Sequence, residues 1–256
     1  MYRGTPRHEP DLDLILQRAA KAGVERIVLT AGTVEESRAA VQTAREWNQM
    51  YTDIQFSCTV GVHPTRCQQV FCGTEERTVD DEALLQDLVD IAKDGQKDGT
   101  VVAIGEIGLD YDRLEFCPKE TQKRYLVRQL ETLAATTGLP LFLHNRSVGA
   151  DLFDILKEHR DLWKCGGVVH SFDDTVSLAS MFMEDLGLFI GLNGCSLRTP
   201  ENLVTASQLP LDKIVLETEY VTHSSSVSFC LTLALCCTTF RRQLSILRNS
   251  KNSCRI

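Results

Sequence analysis

Five short polar runs, each behind an apolar stretch, carry most of the residues able to do chemistry in this 256-residue chain. They read Gly61-Val62-His63-Pro64-Thr65-Arg66, Gly105-Glu106-Ile107-Gly108-Leu109-Asp110, His144-Asn145-Arg146, His170-Ser171-Phe172 and Glu217-Thr218-Glu219. Half of the six histidines fall in them, the others being His8, His159 and His223. Imidazoles and carboxylates gathered in one place suit Zn, Mn or Fe, or Mg where fewer imidazoles join. A cation so held acidifies water and offsets charge developing on oxygen, which is the chemistry of a metallohydrolase. Each residue also has an ordinary reading. A lone histidine at a strand end serves as a loop hydrogen-bonding group, Glu106 as a helix cap, Arg146 as half of a surface ion pair. Recurrence at the same end of successive strands favours the shared site.

For these runs to meet, the apolar stretches before them must lie side by side. Strands are predicted at residues 26–32, 56–61, 101–105, 139–144, 167–170, 188–194 and 213–217, most of them continuous in Val, Ile and Leu. Such runs are buried on both faces, as in parallel sheets. Helices are predicted at 11–22, at 35–47 with Thr33 as N-cap, and at 82–93, 119–137, 151–159 and 175–185. Repeated alternation implies parallel strands with right-handed crossovers. The fold class that follows is α/β, a TIM (β/α)8-type barrel short of one strand, with a doubly wound open sheet as the alternative. Reactive groups of a barrel gather at the C-terminal ends of its strands, where the polar runs fall. No strand precedes the first helix, and the composition changes after Glu219. The expected organisation is a barrel domain over residues 1–219 and a divergent Ser/Thr/Cys-rich tail over 220–256, in which no βα period is visible.

Composition excludes several classes. A net charge of −8 argues against a broad electrostatic grip on nucleic acid, while a bound cation still inverts the field inside one cleft. Clustered basic residues occur mainly at Arg241, Arg242 and Arg248. The ten cysteines form no C-x-x-C pair, so no zinc ribbon or dithiol motif is present, and they read as reduced, small packing residues. No apolar run reaches the ~20 residues that span a bilayer, and the start MYRGTPRHEP is not a signal peptide. An intracellular place, nucleus or cytoplasm, is the expectation.

The ordered set VVAIGEIGLDYDRLEFCPKETQ, GVHPTR, LPLFLH, GGVVHSF, GLFIGLNGCSLRT and KIVLETE resembles the TatD family of metal-dependent deoxyribonucleases, and most nearly its eukaryotic members, from about Met1 to Glu219. The resemblance implies an amidohydrolase-like barrel that hydrolyses DNA phosphodiester bonds, as a 3′–5′ exonuclease or a DNA-fragmenting endonuclease. It implies one or two divalent cations, Mg2+, Mn2+ or Zn2+, and DNA as partner, which would enter as an end or single strand since the chain has no broad basic stripe. Carried over residue by residue, it makes Glu106, His144, His170 and Glu219 the metal ligands. His63 becomes an acid or phosphate donor and Arg146 a phosphate contact, with Glu106 counted in the catalytic set as well.

The sequence departs from that pattern in places. The family's opening strand, Asp-x-Gly-x-Asn-Leu or a form with His-x-His, is absent. Glu219 stands where a Thr-Asp-Ala-Pro turn has Asp, which adds a methylene. His144-Asn145-Arg146 replaces His-Cys-Arg, and the tail replaces the closing loop and helices. A barrel short of a strand exposes two edges, so poor stability and weak or absent nuclease activity are expected of this form. Two other readings keep the fold: a catalytically inactive binding or regulatory isoform, and a related amidohydrolase acting on a small ester or amide.

Overall fold

The computed structural model describes residues 11–73, 78–217, 219–224 and 227–232. Seven apolar segments form its parallel strands: β1 (Arg26–Thr30), β2 (Gln55–Val60), β3 (Val101–Asp110), β4 (Leu141–Arg146), β5 (Gly167–His170), β6 (Phe189–Leu192) and β7 (Ile214–Leu216). Each pairs with its successor in parallel register, in the order β7-β6-β5-β4-β3-β2-β1. The order never reverses. A doubly wound sheet requires a reversal at its switch point, so the sequential order decides for the barrel type, and the sheet curls into part of a barrel.

Helices alternate with the strands: α1 (Leu12–Lys21), α2 (Val34–Met50), α3 (Cys67–Phe71), α4 (Asp81–Asp98), α5 (Lys119–Gln129), α6 (Ala135–Thr137), α7 (Asp151–Glu158), α8 (Val176–Ser180) and α9 (Pro200–Gln208). A π turn over Leu130–Ala134 joins α5 to α6, and another over Met181–Asp185 extends α8. Local chemistry sets the starts. The Glu36 N–H donates to Thr33 Oγ1 at 3.1 Å while Glu36 Oε2 accepts from the Gly32 N–H at 2.9 Å, a reciprocal cap at the head of α2. Thr199 caps α9, its Oγ1 accepting the Asn202 N–H at 3.2 Å, with Pro200 at the first helical position.

The strands are buried on both faces. Leu29, Val60, Ile104, Ile107, Leu143, Val169 and Ile190 are fully buried in one continuous core with Leu88, Leu130, Leu156 and Phe182 of the helical layer. Each such side chain contributes about 1.5–3 kcal/mol by leaving water. Cys58, Cys67 and Cys117 are buried and Cys72 and Cys165 half-buried, all five as free thiols. Burial pushes the Cys58 thiol up to about 12, which makes it a packing residue rather than a nucleophile.

Two features of the sheet differ from expectation. First, β3 runs five residues past Gly105, to Asp110, after a register shift between Ile104 and Ile107. Gly108 makes this possible: its φ is +140°, and a Cβ there would lie 2.1 Å from the His144 carbonyl oxygen. Second, β7 is followed by a hairpin, β8 (Glu219–Ser224) and β9 (Val227–Thr232), paired antiparallel. β9 also pairs antiparallel with β1, at Val28↔Thr232, Leu29↔Leu231 and Thr30↔Cys230. The outer edge of β1, expected to be open, is therefore covered, and its backbone groups have partners. Among the described residues no helix is long and apolar enough to cross a membrane.

Candidate metal centre

The C-terminal ends of β2 to β5 lie next to one another and bring four chain-distant residues to one place. His63 follows β2 by three residues, Glu106 lies within β3, His144 within β4, and His170 ends β5. Register does much of the alignment, since His144 sits opposite Gly108 on one side and His170 on the other. Anchors fix the ends. The Glu106 N–H donates to the Ala31 carbonyl just past β1, and the His63 N–H to the Gly32 carbonyl. Gln129, 1% exposed, accepts the Val62 N–H at 2.7 Å and donates to the Val62 carbonyl at 3.1 Å, clamping the backbone beside His63. Gln122, on the same face of α5, does likewise at Asp110, accepting its N–H and donating to its carbonyl, both at 2.7 Å.

At the centre is one carboxylate oxygen. Glu106 Oε1 lies 2.7 Å from His144 Nδ1, 2.7 Å from His170 Nε2 and 3.4 Å from His63 Nε2. Ligand atoms of Glu106, His144 and His170 all fall within 4.8 Å of one another, as do those of His63, Asp110 and His144. Glu106, His144 and His170 are each less than a tenth exposed. The His170 ring stacks on Phe142 with centroids 4.7 Å apart, which fixes its plane. Ser171 next to it holds a left-handed φ of +49°, and its N–H donates to Glu217 Oε2 at 2.9 Å. A non-glycine residue in that region costs roughly 1–3 kcal/mol and persists where the surroundings hold it, as Glu217 does here.

Electrostatics follow from the packing. Burial acts to raise the Glu106 carboxyl, but His170, His63 and His144 outweigh it and hold it well below the usual range. Burial lowers the His63 imidazole despite the pull of Glu106. For His144 burial acts downward too, yet its hydrogen bonds to Asp110 and Glu106 win and raise it. Negative charge is thus kept on Glu106 in a buried place, with imidazole nitrogens turned toward it. Two imidazoles and a carboxylate are a donor set that fits Zn2+ or Mn2+, and Mg2+ with added oxygen ligands.

A family model described as TatD related DNase matches residues 5–243. The chain belongs to this family. A "Deoxyribonuclease Tat-D" of Schizosaccharomyces pombe is 39% identical over 219 residues, covering 86% of this chain and 66% of that protein. The chain thus spans just under two thirds of that relative's length. A "3'-5' ssDNA/RNA exonuclease TatD" of Escherichia coli is 30% identical, over 82% of this chain and 72% of its own. The crystal structure of a hydrolase TatD family protein from Entamoeba histolytica superposes with a TM-score of 0.72 at 33% identity, over 85% of this chain and 68% of that one.

Within this TatD-family chain the residues singled out from sequence divide in three. Glu106, His144, His170 and His63 converge as described. Arg146 ends β4 and forms an ion pair with Asp173, Nη1 to Oδ2 at 3.1 Å, beside the cluster rather than inside it. The Glu219 side chain lies outside the described residues, its backbone opening β8. Sequence reasoning passed over four residues that the structure brings in. Asp110 is fully buried with Oδ2 at 3.1 Å from His144 Nε2. Glu217 is buried behind His170, with Oε2 at 3.9 Å from its Nδ1. Both carboxylates stood at strand ends in the polar runs, which was the available signal. Gln122 and Gln129 gave no signal, for a buried amide on a helix is indistinguishable in sequence from a solvated one.

Proposed function

We propose that this chain hydrolyses DNA phosphodiester bonds with a divalent cation held by Glu106, His144 and His170, Glu219 standing as a fourth candidate ligand. The carrying observation is the approach of two imidazole nitrogens, one from each of two strands, to a single buried carboxylate oxygen. The fission-yeast relative's name supports DNA as substrate, and the bacterial relative's name supports a single strand attacked from its 3′ end. Mg2+, Mn2+ or Zn2+ is the cation class, as one or two ions, and the cellular place is the nucleus or cytoplasm. When bound, the cation supplies a Lewis acid that acidifies water and offsets phosphate charge.

The chain's own groups do the rest. The Thr65 N–H donates to His63 Nδ1 at 3.2 Å, so that nitrogen accepts and a neutral ring carries its proton on Nε2. That N–H faces the cluster, placed to donate to a phosphate oxygen or to the departing sugar oxygen. Arg146, steadied by Asp173, offers a planar guanidinium for bidentate contact with phosphate. The chain's acidic balance favours a strand end over a long duplex track.

The test is cleavage of an end-labelled single-stranded DNA by the purified chain with Mn2+ or Mg2+, against chelator. Cation-dependent shortening from the 3′ end is expected, falling more than about 100-fold in Glu106→Gln, beyond what loss of an outer partner costs. Cleavage that survives chelation, or turnover of a small ester with DNA left intact, would overturn the reading.

A further inference from the structure

Asp110 has no part in the ligand set above, yet its side chain is fully buried and wholly engaged. Its Oδ1 accepts the Asp112 N–H at 3.1 Å. Its Oδ2 faces His144 Nε2 at 3.1 Å, with Arg113 Nη1 at 3.4 Å. Its backbone is pinned independently by Gln122, which bonds both the Asp110 N–H and the Asp110 carbonyl and also reaches the Cys117 carbonyl at 2.8 Å. The carboxylate therefore has one orientation, set before anything binds. The His144 ring lies between two acids: Nδ1 looks to Glu106 and the cluster, Nε2 away from it to Asp110. An imidazole that binds a cation through one nitrogen keeps its proton on the other. The partner accepting that proton fixes both tautomer and ring plane.

We propose that Asp110 is a positioning residue that holds the Nε2–H of His144 and so presents Nδ1 as an unprotonated ligand to the cation. The proposal rests on the metal-site reading given above. A competing arrangement is visible, for Asp110, His63 and His144 also place ligand atoms within 4.8 Å of one another. In that arrangement Asp110 would itself ligate a second cation. Against it, Oδ1 is taken by a backbone N–H and Oδ2 already serves a ring nitrogen and a guanidinium. With His63 Nδ1 accepting from Thr65, the neutral ring carries its proton on Nε2, the nitrogen turned toward the cluster, which leaves no lone pair there for a cation.

Isothermal titration of MnCl2 into the full chain separates the possibilities, comparing wild type, Asp110→Ala, Asp110→Asn and Glu106→Ala. Positioning predicts that Asp110→Ala keeps the wild-type stoichiometry with affinity weakened about 10–100-fold. Asp110→Asn keeps one acceptor oxygen for two donors, the Asp112 N–H and the His144 Nε2–H, and recovers part of the loss. Unchanged affinity in Asp110→Ala overturns the proposal, and so does a stoichiometry lower by one ion, which makes Asp110 a ligand. A wild type that binds no more Mn2+ than Glu106→Ala removes the metal-site reading, and this proposal with it. A measurement on the unsubstituted protein covers the case in which Asp110→Ala does not fold. Long-range 1H–15N spectra of the histidine rings with Mg2+ are expected to show the His144 proton on Nε2, and a proton on Nδ1 overturns the proposal.

Discussion

Glu106 and Asp110 lie four residues apart on one strand and meet opposite nitrogens of the same imidazole. Histidines and acids at strand ends are legible in a sequence, because reactive groups of a barrel collect there. Their division into roles is not legible, since it depends on which ring nitrogen faces which acid. Asn145 shows the opposite case. It was visible as a mild departure from His-Cys-Arg, and the structure shows it buried. It is 2% exposed, and neither its amide oxygen nor its amide nitrogen meets a partner among the described residues. A buried polar group without a partner costs about 1–3 kcal/mol. Asn145→Cys is therefore expected to raise the melting temperature by at least roughly 2–4 °C in a chain of this size. An unchanged or lower midpoint would show that the amide is satisfied.

Among the elements, α5 carries the most positional information. Its predicted span of residues 119–137 matches α5, the π turn and α6 taken together. What the pattern could not convey is that Gln122 and Gln129 face inward and clamp the ends of β3 and β2. Gln129→Leu would strand the N–H of Val62 and leave its carbonyl with only the weak Cys67 thiol contact at 3.9 Å. A cost of roughly 2–4 kcal/mol in urea unfolding is expected, from two buried groups losing partners, and an unshifted midpoint would contradict the clamp. The start of α5 is tied to α7 by Asp151, which meets Lys119 at 2.8 Å, Lys123 at 2.7 Å and the Tyr111 hydroxyl at 2.7 Å. Hydrogen bonds from Lys119 and Lys123 hold its carboxyl well below the usual range. A folded value below the unfolded one means stability present above about pH 4 and lost as pH falls through the folded value. The carboxylate is 29% exposed, so screening keeps the effect small. Asp151→Asn is expected to melt about 1–3 °C lower near neutrality, with the gap closing in strong acid. A gap constant with pH would contradict the ion pair.

At the scale of the molecule, sequential strand order is what turns scattered residues into a centre. Alternating apolar and amphipathic segments predicted it, and all seven parallel strands stand close to where they were placed. The misses have physical causes. β3 was ended at Gly105 because Gly105 and Gly108 look like breaks, whereas Gly108 lets β3 and β4 approach closely. α3 was missed because it is short and follows the Pro64 turn, and α9 because its apolar residues show no clear helical stripe, although Thr199-Pro200 is a legible start. The hairpin of β8 and β9 was unreadable because its sequence shares no period with the barrel, and its pairing with β1 is set by an edge remote in sequence. All of this bears on function through one claim, that β3, β4 and β5 deliver their side chains to a common cation. The most direct measurement is an anomalous difference map from crystals of the chain soaked in Mn2+. A single dominant peak within about 2.5 Å of Glu106 Oε1, His144 Nδ1 and His170 Nε2 is predicted. A map without density there, or with its main peak bound to other residues, would contradict the account.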